Sequence, residues 1–173
     1  MEASTVDDSS PQLASLSPDV QLWGPPLKGS HKYLGGAPSA SGDTLIGVPA
    51  HSREVVTVNL ADGTVSKLAS RARRGNYKWL RGVLAGDGAI YCIPACADAV
   101  LRIAPDGSLS ELGRGTLPSA NAGEWRWHGG ALGRDGNIYA IPANAERVMR
   151  ITVSTGEVEL IGPRLHPGLK NKW

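Results

Sequence analysis

The sequence predicts an all-β protein of the β-propeller type, made of about three tandem copies of a four-stranded antiparallel repeat. Three observations predict it. A long segment recurs almost intact, from Lys78-Trp79-Leu80-Arg81-Gly82 to Arg126-Trp127-His128-Gly129-Gly130, and the period lies in the forties, the length of a propeller blade. Within each copy, short β-branched and aromatic runs alternate with Asp-Gly or Thr-Gly pairs, the chemistry of tight hairpins. The 173-residue chain, enough for one ordinary domain, holds 22 Gly and 12 Pro, and no stretch has the three-and-four apolar spacing of a helix.

The chain opens with residues 1–19, rich in Ser, Asp and Pro. This composition predicts a flexible leader. It lacks the basic start and apolar stretch of a signal peptide. Val20 to Gly24, followed by Pro25, matches Glu159 to Gly162 with Pro163, so the ordered part is expected to open on a lone final strand.

The first repeat, about 32–77, is the most diverged. It starts at Lys32-Tyr33-Leu34-Gly35-Gly36, runs through Val48-Pro49-Ala50 and Val55 to Val58, and turns at Asp62-Gly63. The second, about 78–125, carries Asp87-Gly88, then Ile90-Tyr91-Cys92-Ile93-Pro94-Ala95, then Val100-Leu101-Arg102-Ile103. The third, about 126–171, repeats this as Asp135-Gly136, Ile138-Tyr139-Ala140-Ile141-Pro142-Ala143 and Val148-Met149-Arg150-Ile151. Its four strands are expected at roughly 127–132, 137–142, 147–153 and 157–162. Lys172-Trp173 matches the Lys-Trp that opens a copy. Three blades do not easily close a ring of four to eight. The expectation is a piece of a longer protein, a ring completed by a second copy, or an open array covered by a partner.

The aromatic followed by Gly-Gly, and the blade length, resemble kelch repeats. The run Asp135-Gly136-Asn137-Ile138-Tyr139, with Arg147 to Ile151 and Thr155 to Val158, is more similar to the NHL and SMP-30/gluconolactonase propellers. The fuller pattern, Lys-Trp-x-x-Gly with Ile-Tyr-x-Ile-Pro-Ala, is similar to tandem repeats in uncharacterised proteins of unicellular algae. The resemblance covers about residues 20–173. It implies the architecture, and SMP-30 kinship implies a metal-dependent hydrolase with carboxylate and amide ligands drawn from several blades. No residue of this chain matches those ligands one for one.

In a blade, the connection between repeats and the turn between the second and third strands emerge on one face. The connections between repeats hold eleven of the eighteen Lys and Arg residues, among them Arg71, Arg73, Arg74, Lys78 and Arg126. The hairpin aspartates Asp43, Asp62, Asp87, Asp106 and Asp135 fall on the other face. A basic face would steer a protein partner or an anionic ligand. The alternative is that the aspartates serve turn geometry and the basic residues serve solubility. A basic face could also steer a nucleic acid, but a net charge of only +2 does not by itself argue for one, and nucleic acid is not the expected partner.

Matched turn tips carry His51, Cys96 and Asn144, and beside them Arg53, Asp98 and Glu146. Such variation on a fixed scaffold suits a ring of ligand-contacting residues, and equally an unconstrained surface. His51, Asp98 and Glu146 make a weak metal candidate, and no cofactor is expected. Tyr33, Trp79 and Trp127 recur at the head of the first strand and are expected to pack between blades or to stack a ligand. Trp125 falls outside the repeat pattern and is the better candidate contact residue. His31, His128 and His166 have no partner at a catalytic spacing, and no Ser-His-Asp order or phosphate loop stands out.

Cys92 and Cys96 lie four positions apart about Pro94, too far along an extended strand for a disulfide. Two free thiols suit the cytoplasm or another reducing compartment. No apolar run reaches a membrane span. The functional expectation is a non-catalytic protein-interaction or scaffold module presenting the basic loop face. An SMP-30-like hydrolase needing further blades, and a structural subunit of a larger complex, are the alternatives.

Overall fold

A computed structural model describes residues 21–118 and 124–172, and the expected leader and Val20 lie outside them. Among the described residues, twelve strands form three four-stranded antiparallel sheets, one per repeat. The first holds β1 (Tyr33–Pro38), β2 (Thr44–Pro49), β3 (Glu54–Asn59) and β4 (Val65–Arg71). The second holds β5 (Trp79–Leu84), β6 (Ile90–Pro94), β7 (Val100–Ile103) and β8 (Leu109–Leu112). The third holds β9 (Trp127–Leu132), β10 (Ile138–Pro142), β11 (Val148–Thr152) and β12 (Glu157–Ile161). Strands follow one another in order within each sheet.

The hairpins close as their sequences require. Gly136 has φ 79° and Asp135 accepts the Asn137 amide, so the pair combines left-handed backbone with an Asx turn. Asp62, Asp87 and Asp106 accept amides two residues on in the same way. The turn aspartates are therefore engaged in turn geometry.

No sheet has a core of its own; the apolar layers lie between sheets. Val48, Val55, Trp79, Ile90, Cys92 and Leu101 fill the layer between the first and second. Tyr91, Ile93, Val100, Trp127, Met149 and Ile151 fill the next. Trp79 and Trp127 are fully buried, and their indole N–H groups donate to the carbonyls of Ala99 (2.8 Å) and Arg147 (3.1 Å). A buried indole needs that partner. The strands β1, β5 and β9 pack side by side along the inner edge.

Successive repeats are also stapled through the backbone. Within a repeat, the alanine after the proline donates its N–H to the opening basic residue: Ala50 to Lys32, Ala95 to Lys78, Ala143 to Arg126. The carbonyl of the same alanine accepts from the next basic residue: Ala50 from Lys78, Ala95 from Arg126, Ala143 from Lys172. This chain of bonds is the physical content of the recurring Pro-Ala and Lys-Trp pairs.

One expected strand is absent. Residues 21–24 have no strand pairing. They still sit where a final strand would, since Gly24 lies against Val65 as Gly113 lies against Val158. Among the described residues they have no neighbouring strand to pair with, and without a ladder the segment stays irregular.

Candidate functional site

The face formed by the connections between repeats is set by the residue preceding each opening Lys or Arg. These residues are His31, Tyr77, Trp125 and Asn171. The carbonyls of the first three accept the amides of the turn tips His51, Cys96 and Asn144 (3.0–3.2 Å). Three of the four hold left-handed backbone: His31 at φ 47°, Tyr77 at 46° and Asn171 at 51°. Trp125 is thus a regular position of the repeat, contrary to the expectation that it lies outside the pattern. Extending the repeat by one residue upstream of the basic position would have revealed it.

This frame gathers five rings into one ladder. His51 meets His31 at 5.2 Å and Tyr77 edge-on at 4.3 Å. Tyr77 also meets His31 at 5.4 Å, closing a three-ring cluster across the first and second repeats. The ladder continues from Tyr77 to Trp125 (5.4 Å) and on to His128 (5.0 Å) in the third repeat. His31 and His128 are exposed, and the other three rings are half-buried. Burial, helped by the charges of His31 and Lys78, holds the His51 imidazole below its ordinary pKa. None of the five belongs to the apolar layers between sheets.

The basic residues take other roles. Lys78, expected on the exposed face, is buried, and its ammonium donates to the carbonyls of Ala50 (2.6 Å), Ser52 (2.8 Å) and Gly75 (3.3 Å). Lys172 does the same for Ala145, Asn144 and Leu169. Desolvation, with the charges of Arg73 and Arg53, pushes Lys78 down to about 8. Arg126 is also buried, lies over the Trp127 ring and donates to the Pro118 carbonyl. The Lys78 side chain clamps its blade to the preceding one, while that of Arg126 holds the loop leading into its own blade; both are buried rather than presented on the surface.

The exposed basic cluster is largely neutralised. Arg73 pairs with Asp98 (2.5 Å) and Glu111 (3.5 Å), and Arg114 joins the same two carboxylates. Arg71 and Lys67 share Glu54. Arg164 holds Glu146, through its Nε at 2.6 Å. Among the described residues Arg74 has no hydrogen bond or ion pair. Asn144 is a scaffold residue: its amide donates to Trp125 and its carbonyl accepts from Asn171. Among the described residues no three His, Cys, Asp or Glu side chains form a metal-binding group, so His51, Asp98 and Glu146 are not brought together as one.

No family model and no curated protein matches this chain. Solved structures do. A virginiamycin B lyase from Staphylococcus aureus is 18% identical with a TM-score of 0.59, covering 82% of this chain and 43% of the lyase. A streptogramin B lyase is 22% identical with a TM-score of 0.60, over 80% and 44%. The hydrazine synthase of Kuenenia stuttgartiensis is 17% identical with a TM-score of 0.56, over 84% and 40%. The chain is three blades of a β-propeller. It spans less than half the length of these neighbours, and likeness at this identity shows the propeller fold and nothing of its chemistry. In propeller terms the ladder runs over the loop face, and β1, β5 and β9 are the innermost strands of the three blades. No helix of the described residues is long and apolar enough to cross a membrane.

Proposed function

We propose that the chain is a non-catalytic interaction module and that its contact surface is the loop face carrying the aromatic ladder. The ladder is the observation that supports this. Five rings in unbroken contact cross three blades, and none is needed for the core. Aromatic side chains with one apolar body and one polar edge are the residues that dominate protein contacts. The charge complement is mostly closed within the molecule, so the ladder rather than the basic cluster supplies the binding free energy in this reading. An SMP-30-like hydrolase would need metal donors other than His51, Asp98 and Glu146.

The test is a Tyr77→Ser, Trp125→Ser double variant. Capture of the native partner from cell extract is expected to fall at least tenfold while the melting transition stays cooperative. Capture at the wild-type level would overturn the proposal.

A further inference from the structure

The inner strands carry a second feature, separate from the loop face. Each bends at a β-bulge directly after its leading aromatic, and the register with the neighbouring strand skips two residues there. Bulges of this kind re-aim a side chain. The second skipped residue is Gly35 in blade 1, Arg81 in blade 2 and Gly129 in blade 3. All three hold positive φ: 81°, 62° and 151°. Glycine accepts such backbone freely, whereas an arginine there is strained.

The neighbouring blades are shaped around that arginine. A Cβ at Gly35 would lie 3.4 Å from the Arg81 Cα. A Cβ at Gly129 would lie 2.9 Å from the Arg81 Cδ. The side chain therefore leaves blade 2 and crosses to blade 3, in a lane that only glycines leave open. It lines a groove of about 530 Å³ with Gly35, Gly36, Leu80, Gly82 and Gly130, in which it is the sole charged side chain. It is exposed, and among the described residues it has no hydrogen bond or ion pair. The fold thus accepts backbone strain for a guanidinium that has no internal partner among the described residues. Strain of this sort is a pointer to a ligand site.

We propose that Arg81 is the anchor of an oxyanion site on the inner, channel-facing surface of the propeller, taking the carboxylate or phosphate group of a small ligand. A planar fork of N–H donors matches either group through two parallel bonds. The glycines leave close approach for the rest of the ligand, and the groove has the volume of a small-molecule site. The ladder on the loop face plays no part in this, so the two proposals stand or fall separately.

The experiment titrates wild-type protein, Arg81→Gly and Arg74→Gln with inorganic phosphate and, separately, with acetate. Saturation is followed through the arginine Nε–H resonances. Arg81→Gly installs the residue that blades 1 and 3 already have, so its melting temperature is expected to hold or rise. Wild type and Arg74→Gln are expected to show saturable binding of at least one anion, with the tighter arm naming the group. Arg81→Gly is expected to bind at least tenfold more weakly. Retained binding in Arg81→Gly would overturn the proposal, as would the absence of saturable binding of both anions to wild type.

Discussion

Lys78 shows how one side chain can be assigned to the wrong surface by charge alone. In the sequence it belongs to a basic loop. In the fold its stem is buried beside Trp79 and its ammonium holds three carbonyls, two of them from the preceding blade. Its pKa has a stability consequence. The folded group titrates near 8 and the free side chain near 10.5. Between these values the unfolded chain binds the extra proton, so this group adds stability as pH rises from 8 to 10.5 and is constant below 8. Chemical denaturation of wild type and Lys78→Met should diverge across that window by up to about 3 kcal/mol, with no pH-dependent divergence between pH 6 and 7.5. A difference that shrinks with rising pH would contradict the assignment. The cysteines separate just as clearly. Cys92 is buried, and desolvation pushes its thiol far up, whereas Cys96 is half-buried at a turn tip. Brief treatment of native protein with iodoacetamide should label Cys96 alone, as read by mass spectrometry.

At the level of elements, the repeat pattern is legible because it encodes hydrogen bonds. Asp-Gly marks a hairpin through the Asx amide and a left-handed glycine, and Pro-Ala with Lys-Trp marks the staple between blades. The strands of the third repeat accordingly fall within a residue or so of expectation, at 127–132, 138–142, 148–152 and 157–161. The segment 21–24 fails as a strand because a strand is a property of a pair, and its sequence match to 159–162 says nothing of a neighbour. Charge pairing was illegible for the same reason: Arg73 meets Asp98 and Glu111 only because two blades are placed against one another. This makes Arg74→Glu the clean probe of loop-face electrostatics. It should leave stability within about 0.5 kcal/mol, while Arg73→Glu sets a third carboxylate beside two and should cost about 2 kcal/mol or more by thermal melting.

Across the whole molecule, identical sequence positions diverge according to what covers them. Val48 and Ile93 are fully buried, each under the next blade, but their counterpart Ile141 is 51% exposed. Ile93→Ala should therefore cost about 2–5 kcal/mol, and Ile141→Ala less than about 0.5, in the same denaturation assay. Equal costs would show that the face of the third blade is covered in solution, and a mass measurement would then report whether a second copy covers it. The sequence by itself determined the blade: strand count, hairpins, leading tryptophans and period, all of which rest on contacts within a repeat or on bonds that recur at a fixed spacing. Only the tertiary structure decided which rings touch, which cations are already paired, and which isoleucine faces water. Those outcomes depend on distances between residues of different blades, and a period along the chain carries no record of them. His31, Tyr77, Trp125 and His128 form one surface because the blades turn about a common inner edge, and Arg81 points across that edge because its two neighbours lack a side chain.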